Sequence, residues 1–235
     1  MPRRYWYVIL TYVIGLFSGI LGGPLLLLLG VPRQNITAIW SIIAFSIMTI
    51  VILSILKPDM KRNKERSSKL GVGKIILWTV IGFFLVLFVQ YAAALIEMNL
   101  GIEPGSNNTS ALMEVARATP LFLIVTAIFA PVLEEIVFRK VIFGSIFKKY
   151  NFLIAAIISA IAFGILHQEP DHLLIYTSVG MVFAYLYVKT KTILVPILTH
   201  VSINTFVFII QYNVSPEDLE RMREQIEQLQ TILGG

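Results

Sequence analysis

Glu134, His167, His200 and Asn204 are the residues of this 235-residue chain whose types suit proton transfer and the stabilisation of developing negative charge, and each stands in an otherwise apolar run. A buried carboxylate beside an imidazole can take a proton from water near neutral pH. An imidazole and a carboxamide can donate hydrogen bonds to the oxyanion formed at an attacked carbonyl, each donor being worth roughly 3–4 kcal/mol in well-studied proteases. Glu134 belongs to the segment Glu134-Glu135-Ile136-Val137-Phe138-Arg139, set within an apolar run from about 120 to 147. Charge there is costly: a central Asp, Lys or Arg costs roughly 2.5–3.5 kcal/mol on insertion scales, so ionisable groups within a span mark function by default. Glu135 and Arg139 are four apart with the acid first, the favourable order for an ion pair within one helix, and they read as a structural support. Glu134 lies about 100° around the helix from Glu135, so its partner must come from elsewhere in the fold. Two later runs supply candidates on single helical faces, Phe163 with His167 and His200 with Asn204. A lone histidine in a helix is usually a packing residue, but three runs that each carry one polar set point to a shared interior site.

The elements that must position these residues are membrane helices. Apolar residues make up 57% of the chain and charged residues 14%, and the mean hydropathy is +0.79. Those values describe an all-α, polytopic membrane bundle. Apolar spans fall at about 5–30, 37–56, 70–98, 120–147, 152–168, 172–188 and 193–212. Seven transmembrane helices result, or eight if the first breaks at Gly22-Gly23-Pro24. The first run is too long for a signal peptide and reads as a retained span.

The net charge of +5 comes from basic residues in the gaps between spans, so they read as topology signals and not as a nucleic-acid surface. The segment Lys57 to Lys69 reads as a cytoplasmic loop, together with Arg3, Arg4, Lys148, Lys149, Lys189 and Lys191. Gly101 to Ser110 and Gln168 to Asp171 then lie outside, and the N-terminus is cytoplasmic in a multi-pass protein of the cell membrane. The tail from Ser215 to Leu233 has apolar residues spaced by three and four and five acids against two arginines. It reads as an amphipathic helix for a homodimer or another partner rather than for an anionic membrane surface. Three regions of one membrane domain follow: 1–119 of unassigned role, 120–212 bearing the chemistry, and the tail 213–235.

Other intramembrane chemistries fit less well. Ser202 lies about 200° from His200 around one helix, which disfavours a local serine dyad. The aspartates, Asp59, Asp171 and Asp218, all lie outside the spans, and the absence of cysteine removes thiol chemistry. The His-Glu-x-x-His zinc signature is missing, although Glu134, His167 and His200 from separate helices remain an alternative three-ligand zinc site. A transporter would also place acids and histidines at the midplane, but no inverted repeat is visible.

The three segments resemble the three motifs of the CPBP intramembrane protease family, which includes CAAX prenyl endopeptidases and bacteriocin-processing or self-immunity proteins. The motifs are E-E-x-x-x-R at Glu134 to Arg139, F-x-x-x-H at Phe163 to His167 and H-x-x-x-N at His200 to Asn204. The resemblance covers about 120–210. It implies an endopeptidase acting on membrane-associated or lipidated proteins or peptides, with Glu134 and His167 activating water and His200 and Asn204 forming the oxyanion hole; no cofactor is expected, with zinc on Glu134, His167 and His200 the alternative. A non-proteolytic adaptor or immunity protein of the same fold is the alternative. The family suggests a mouth toward the cytosol, whereas the positions of the lysines put Glu134 and His167 in the outer half of the bilayer. By helical rise His200 sits shallower, so the three sets meet only if its helix starts deeper or the fifth is tilted.

Overall fold

The computed structural model describes residues 1–213 together with Arg221, Glu224, Gln225 and Gln228, and the described residues contain helices and no strand. The amphipathic tail expected over 215–233 therefore lies largely outside them. The helices are α1 (Arg3–Phe17), α2 (Gly19–Leu28), α3 (Arg33–Ile55), α4 (Lys57–Leu70), α5 (Val72–Asn99) and α6 (Asn107–Ala118). A composite rod over 122–146 follows as α7, then α8 (Phe152–Leu166), α9 (Leu173–Thr190) and α10 (Leu194–Asn213).

Among the described residues, four helical stretches are long and apolar enough to cross a membrane: α3, α5, α10 and Pro170–Thr190, which joins a short 3-10 turn to α9. The pair α1 and α2, bent by 42°, makes a fifth if it is one span. The two other expected spans correspond to α7, which carries Glu134, Glu135, Arg139 and Lys140 along its middle, and to α8, which has only 15 residues.

The bend between α1 and α2 falls at Ser18 and not at Gly22-Gly23-Pro24. The Ser18 hydroxyl donates to the Gly15 carbonyl at 2.6 Å, a back-bond that competes with helical pairing and bends helices. It also accepts from the Trp40 indole N–H at 3.0 Å. Pro24 lies inside α2, and Gly22 serves packing instead of bending. A Cβ at Gly22 would meet the Trp40 ring at 1.9 Å, so glycine makes room for the indole.

The segment expected as a cytoplasmic loop is the helix α4. Pro58 stands in its first turn, Asp59 complements the positive end of its dipole and Lys69 the negative end. Arg4 clamps Asp59 through Nε and Nη2 at 3.0 and 3.1 Å, joining the start of α1 to α4. The segment expected as an outer loop holds the start of α6, capped by the Ser106 hydroxyl, which accepts from the Thr109 N–H at 2.9 Å.

α7 lies at the centre, in contact with α1, α3, α8, α9 and α10. α8 and α9 form an antiparallel hairpin. Their backbones come close at Gly180, where a Cβ would lie 2.9 Å from that of Ala160. The buried Ser159 hydroxyl donates to the Phe138 carbonyl at 2.7 Å and fixes α8 against α7.

Candidate active site

α7 does not keep an α-helical pitch. It runs α over Phe122–Ile124, π over Val125–Phe129, α over Ala130–Glu134, π over Glu135–Phe143 and α again over Gly144–Ile146. Short π segments inside α-helices recur at functional sites because they re-aim side chains and free backbone groups. Pro131 shows the second effect. The Ala130 N–H bonds five residues back to the Val125 carbonyl. The same step would pair the Thr126 carbonyl with residue 131, but proline has no N–H to give. Asn204 of α10 supplies the missing donor, its Nδ2 lying 3.1 Å from the Thr126 oxygen. Because a carbonyl can only accept, this bond fixes which end of the carboxamide is nitrogen, and it leaves the second Nδ2 hydrogen free for another acceptor.

The three sets that seemed to differ in depth meet around one histidine. His200 Nδ1 lies 3.0 Å from Glu135 Oε1, and its Nε2 lies 3.7 Å from Glu134 Oε2. His200 is 5% exposed and stacks on Phe183 of α9, with ring centroids 4.7 Å apart at 23°. The partner that Glu134 required is thus an imidazole from α10.

Glu135 and Arg139 form the expected pair, Nε to Oε2 3.2 Å, both side chains fully buried. The contact is close but not aligned as a hydrogen bond, and the guanidinium nitrogens have no other acceptor among the described residues. Aromatic faces surround the cation instead. Its Cζ lies 4.6 Å from the Phe163 centroid, 5.3 Å from Phe183 and 6.0 Å from Phe138, within cation–π range. Phe163 therefore serves both the second and the first motif.

His167 ends α8. Its Nδ1 lies 2.9 Å from the Phe163 carbonyl, a group that can only accept, so Nδ1 carries the proton and Nε2 the lone pair of the neutral ring. The ring lies edge-on to Phe163 at 4.7 Å and face to face with Tyr176 of α9 at 4.0 Å and 21°. Tyr176 is anchored in turn by its hydroxyl, which donates to Glu169. Glu169 also accepts from the Ser106 hydroxyl at 2.9 Å and the Asn108 N–H at 2.8 Å. Burial pushes the Glu169 carboxyl up, but the donors from Tyr176, Asn108 and Ser106 outweigh it and hold the group below the usual carboxylate range. By linkage this anchor is fully present above the unfolded-state pKa and is lost as pH falls through the lower folded value.

Glu134, His167, His200 and Asn204 all line one cavity of about 1060 Å³, beyond the usual range for small-ligand pockets and roomy enough for an extended peptide. The residues 102–106 and 168 also line it, so its mouth lies at the end opposite α4 and that helix's basic residues. Ser202 points elsewhere, its hydroxyl donating to the Leu198 carbonyl at 2.7 Å. Among the described residues no three His, Cys, Asp or Glu side chains converge with metal-ligand spacing.

A second acid–imidazole pair, not foreseen from the sequence, stands at the mouth. Glu97, in the last turn of α5, is 2% exposed and bonds His172 Nδ1 at 2.8 Å. It also accepts from the Ile175 N–H at 3.2 Å. His172, the residue before α9, gives that helix no side-chain cap, so Glu97 of another helix satisfies one of its first-turn donors. The signal was a glutamate at the end of an apolar run facing a histidine in the loop that returns to it.

Residues 116–206 match the model of a family described as type II CAAX prenyl endopeptidase Rce1-like. The YdiL protein of Bacillus subtilis (strain 168), named as a membrane peptidase, is 42% identical over 100% of this chain and 99% of its own length. The membrane-embedded CAAX protease MroQ of Staphylococcus aureus (strain USA300) is 32% identical over 94% of this chain and 95% of its own. No solved structure matches.

Proposed function

The chain belongs to the CPBP family of intramembrane proteases, and on that basis we propose that it hydrolyses peptide bonds of membrane-associated or lipidated substrates with water activated by Glu134 and His167. The observation that carries this reading is the position of His200, held by Glu135 through Nδ1 with Nε2 toward Glu134, in the wall of a cavity that His167 and Asn204 share.

Glu134 takes a proton from water as the water oxygen attacks the carbonyl carbon, while the lone pair on His167 Nε2 orients the same water. The oxyanion that forms accepts from His200 Nε2 and from the free Nδ2 hydrogen of Asn204. Protonated Glu134 then passes its proton to the leaving nitrogen as the C–N bond breaks. Donation from His200 Nε2 requires a proton on each ring nitrogen, because Nδ1 already donates to Glu135.

No cofactor enters this scheme. Prolonged chelation of the purified protein is expected to leave cleavage of a peptide panel unchanged, and elemental analysis is expected to find zinc well below one per chain. One tightly held zinc whose removal and return switch cleavage off and on would replace the scheme with a metal site on Glu134, His167 and His200.

The positive-inside rule places the basic end in the cytoplasm and the cavity mouth on the outer side of the cell membrane. Cysteines at Asp171 and Lys149, both exposed in this naturally Cys-free chain, report on this. An impermeant maleimide on intact cells is expected to label position 171 and not 149. The reverse pattern would turn the mouth to the cytosol.

A further inference from the structure

A second cleft of about 240 Å³ lies between α3, α4, α7 and α10, at the basic end of the bundle and with no residue of the first cavity in its lining. Its walls are apolar, formed among others by Leu56, Ile136 and Ile197, and two lysines line it, Lys64 of α4 and Lys140 of α7. Lys140 follows the last residue of the first motif and has no part in the chemistry proposed above.

Lys140 is only 7% exposed, yet it makes no hydrogen bond or ion pair within the described residues. Among the described residues the leading carboxylate acting on it is Asp59, and Asp59 is already held by two bonds from Arg4. The other charges near it, Arg66, Arg4 and Arg62, are all positive. A buried cation among cations is costly and is relieved by an anion.

The walls indicate what kind of anion. Met60 and Leu194 line the cleft and remain 46% and 37% exposed, so apolar side chains frame its opening on the outer surface of the bundle beside α4. A dry apolar cavity of about 150 Å³ already takes benzene, so this volume admits a stretch of acyl chain. A free phosphate would meet the charge and leave those walls uncovered. We propose that the cleft binds one anionic phospholipid from the leaflet on the basic side, its phosphate at Lys140 and Lys64 and part of an acyl chain along Ile136 and Ile197.

The test uses full-length protein, delipidated in a neutral detergent and examined by native mass spectrometry and thermal melting with phosphatidylglycerol, phosphatidylcholine or inorganic phosphate. One phosphatidylglycerol is expected to stay bound and raise the melting temperature, with phosphatidylcholine retained at least ten-fold less and phosphate giving no shift. Lys140→Gln and, separately, Lys64→Gln are each expected to weaken phosphatidylglycerol retention about five-fold, the effect of one lysine near a lipid phosphate. Equal retention of the two lipids, an equal shift with phosphate, or unchanged retention in both variants would each overturn the assignment. If Lys140→Gln does not fold, the wild-type comparisons and Lys64→Gln still decide.

Discussion

Arg139→Ala is expected to lower the unfolding free energy by about 3–5 kcal/mol, the usual cost of removing one partner from a buried ion pair. The guanidinium is fully buried 3.2 Å from Glu135 and enclosed by the rings of Phe163, Phe183 and Phe138. Its loss leaves Glu135 with His200 as its remaining side-chain partner and opens a void among three aromatic rings. Arg139→Lys is expected to recover only part of this, because an ammonium lacks the planar face that stacks on rings and the reach of the fork. Denaturant or thermal unfolding in detergent reads both variants. An unchanged melting temperature for Arg139→Ala would show that the pair contributes no stability and that the first motif's arginine is held for another reason.

His200→Ala is expected to act on rate and stability together. Removing one oxyanion donor costs about 10²–10³-fold in kcat where this has been measured in proteases. The same change strips the bond from Glu135 Oε1, and a buried acceptor left unpaired costs about 1–3 kcal/mol. Steady-state cleavage and melting, measured on one preparation, separate the two. Cleavage within a few-fold of wild type would remove His200 from the oxyanion hole and leave it as a structural bridge between Glu134 and Glu135.

The pairing of Glu135 with Arg139 was legible because side chains four apart share a helical face, and the sharing of faces by Phe163 with His167 and by His200 with Asn204 followed from the same spacing. The need of Glu134 for a distant partner was legible too, since a carboxylate in an apolar run cannot stand alone. The identity of that partner was hidden by the shape of α7. Helical rise applied to a regular α-helix put His200 at a different depth from Glu134, whereas α7 runs through two π segments and α8 starts only at Phe152. Pro131 was visible in the sequence, but its consequence, a Thr126 carbonyl left for Asn204, depends on five-residue bonding that no side-chain pattern encodes. α4 was read as a loop because its charges were counted for topology, and the match of Asp59 and Lys69 to a helix dipole was not weighed. Tyr176 and Phe183, which stack on His167 and His200, sit in an apolar helix whose aromatic residues look like any others until their neighbours are known.

The proposed chemistry stands or falls on a carboxylate at position 134 that activates water for peptide hydrolysis. Cleavage of a peptide panel by purified protein reconstituted in lipid, wild type beside Glu134→Gln, probes it with the volume kept and the base removed. Wild type is expected to cleave, and Glu134→Gln to lose about 10²–10⁴-fold, the range a general base supplies, with folding and insertion unchanged. Equal cleavage by the two proteins would contradict the mechanism, and no cleavage by wild type across the panel would favour a non-proteolytic membrane adaptor of the same fold.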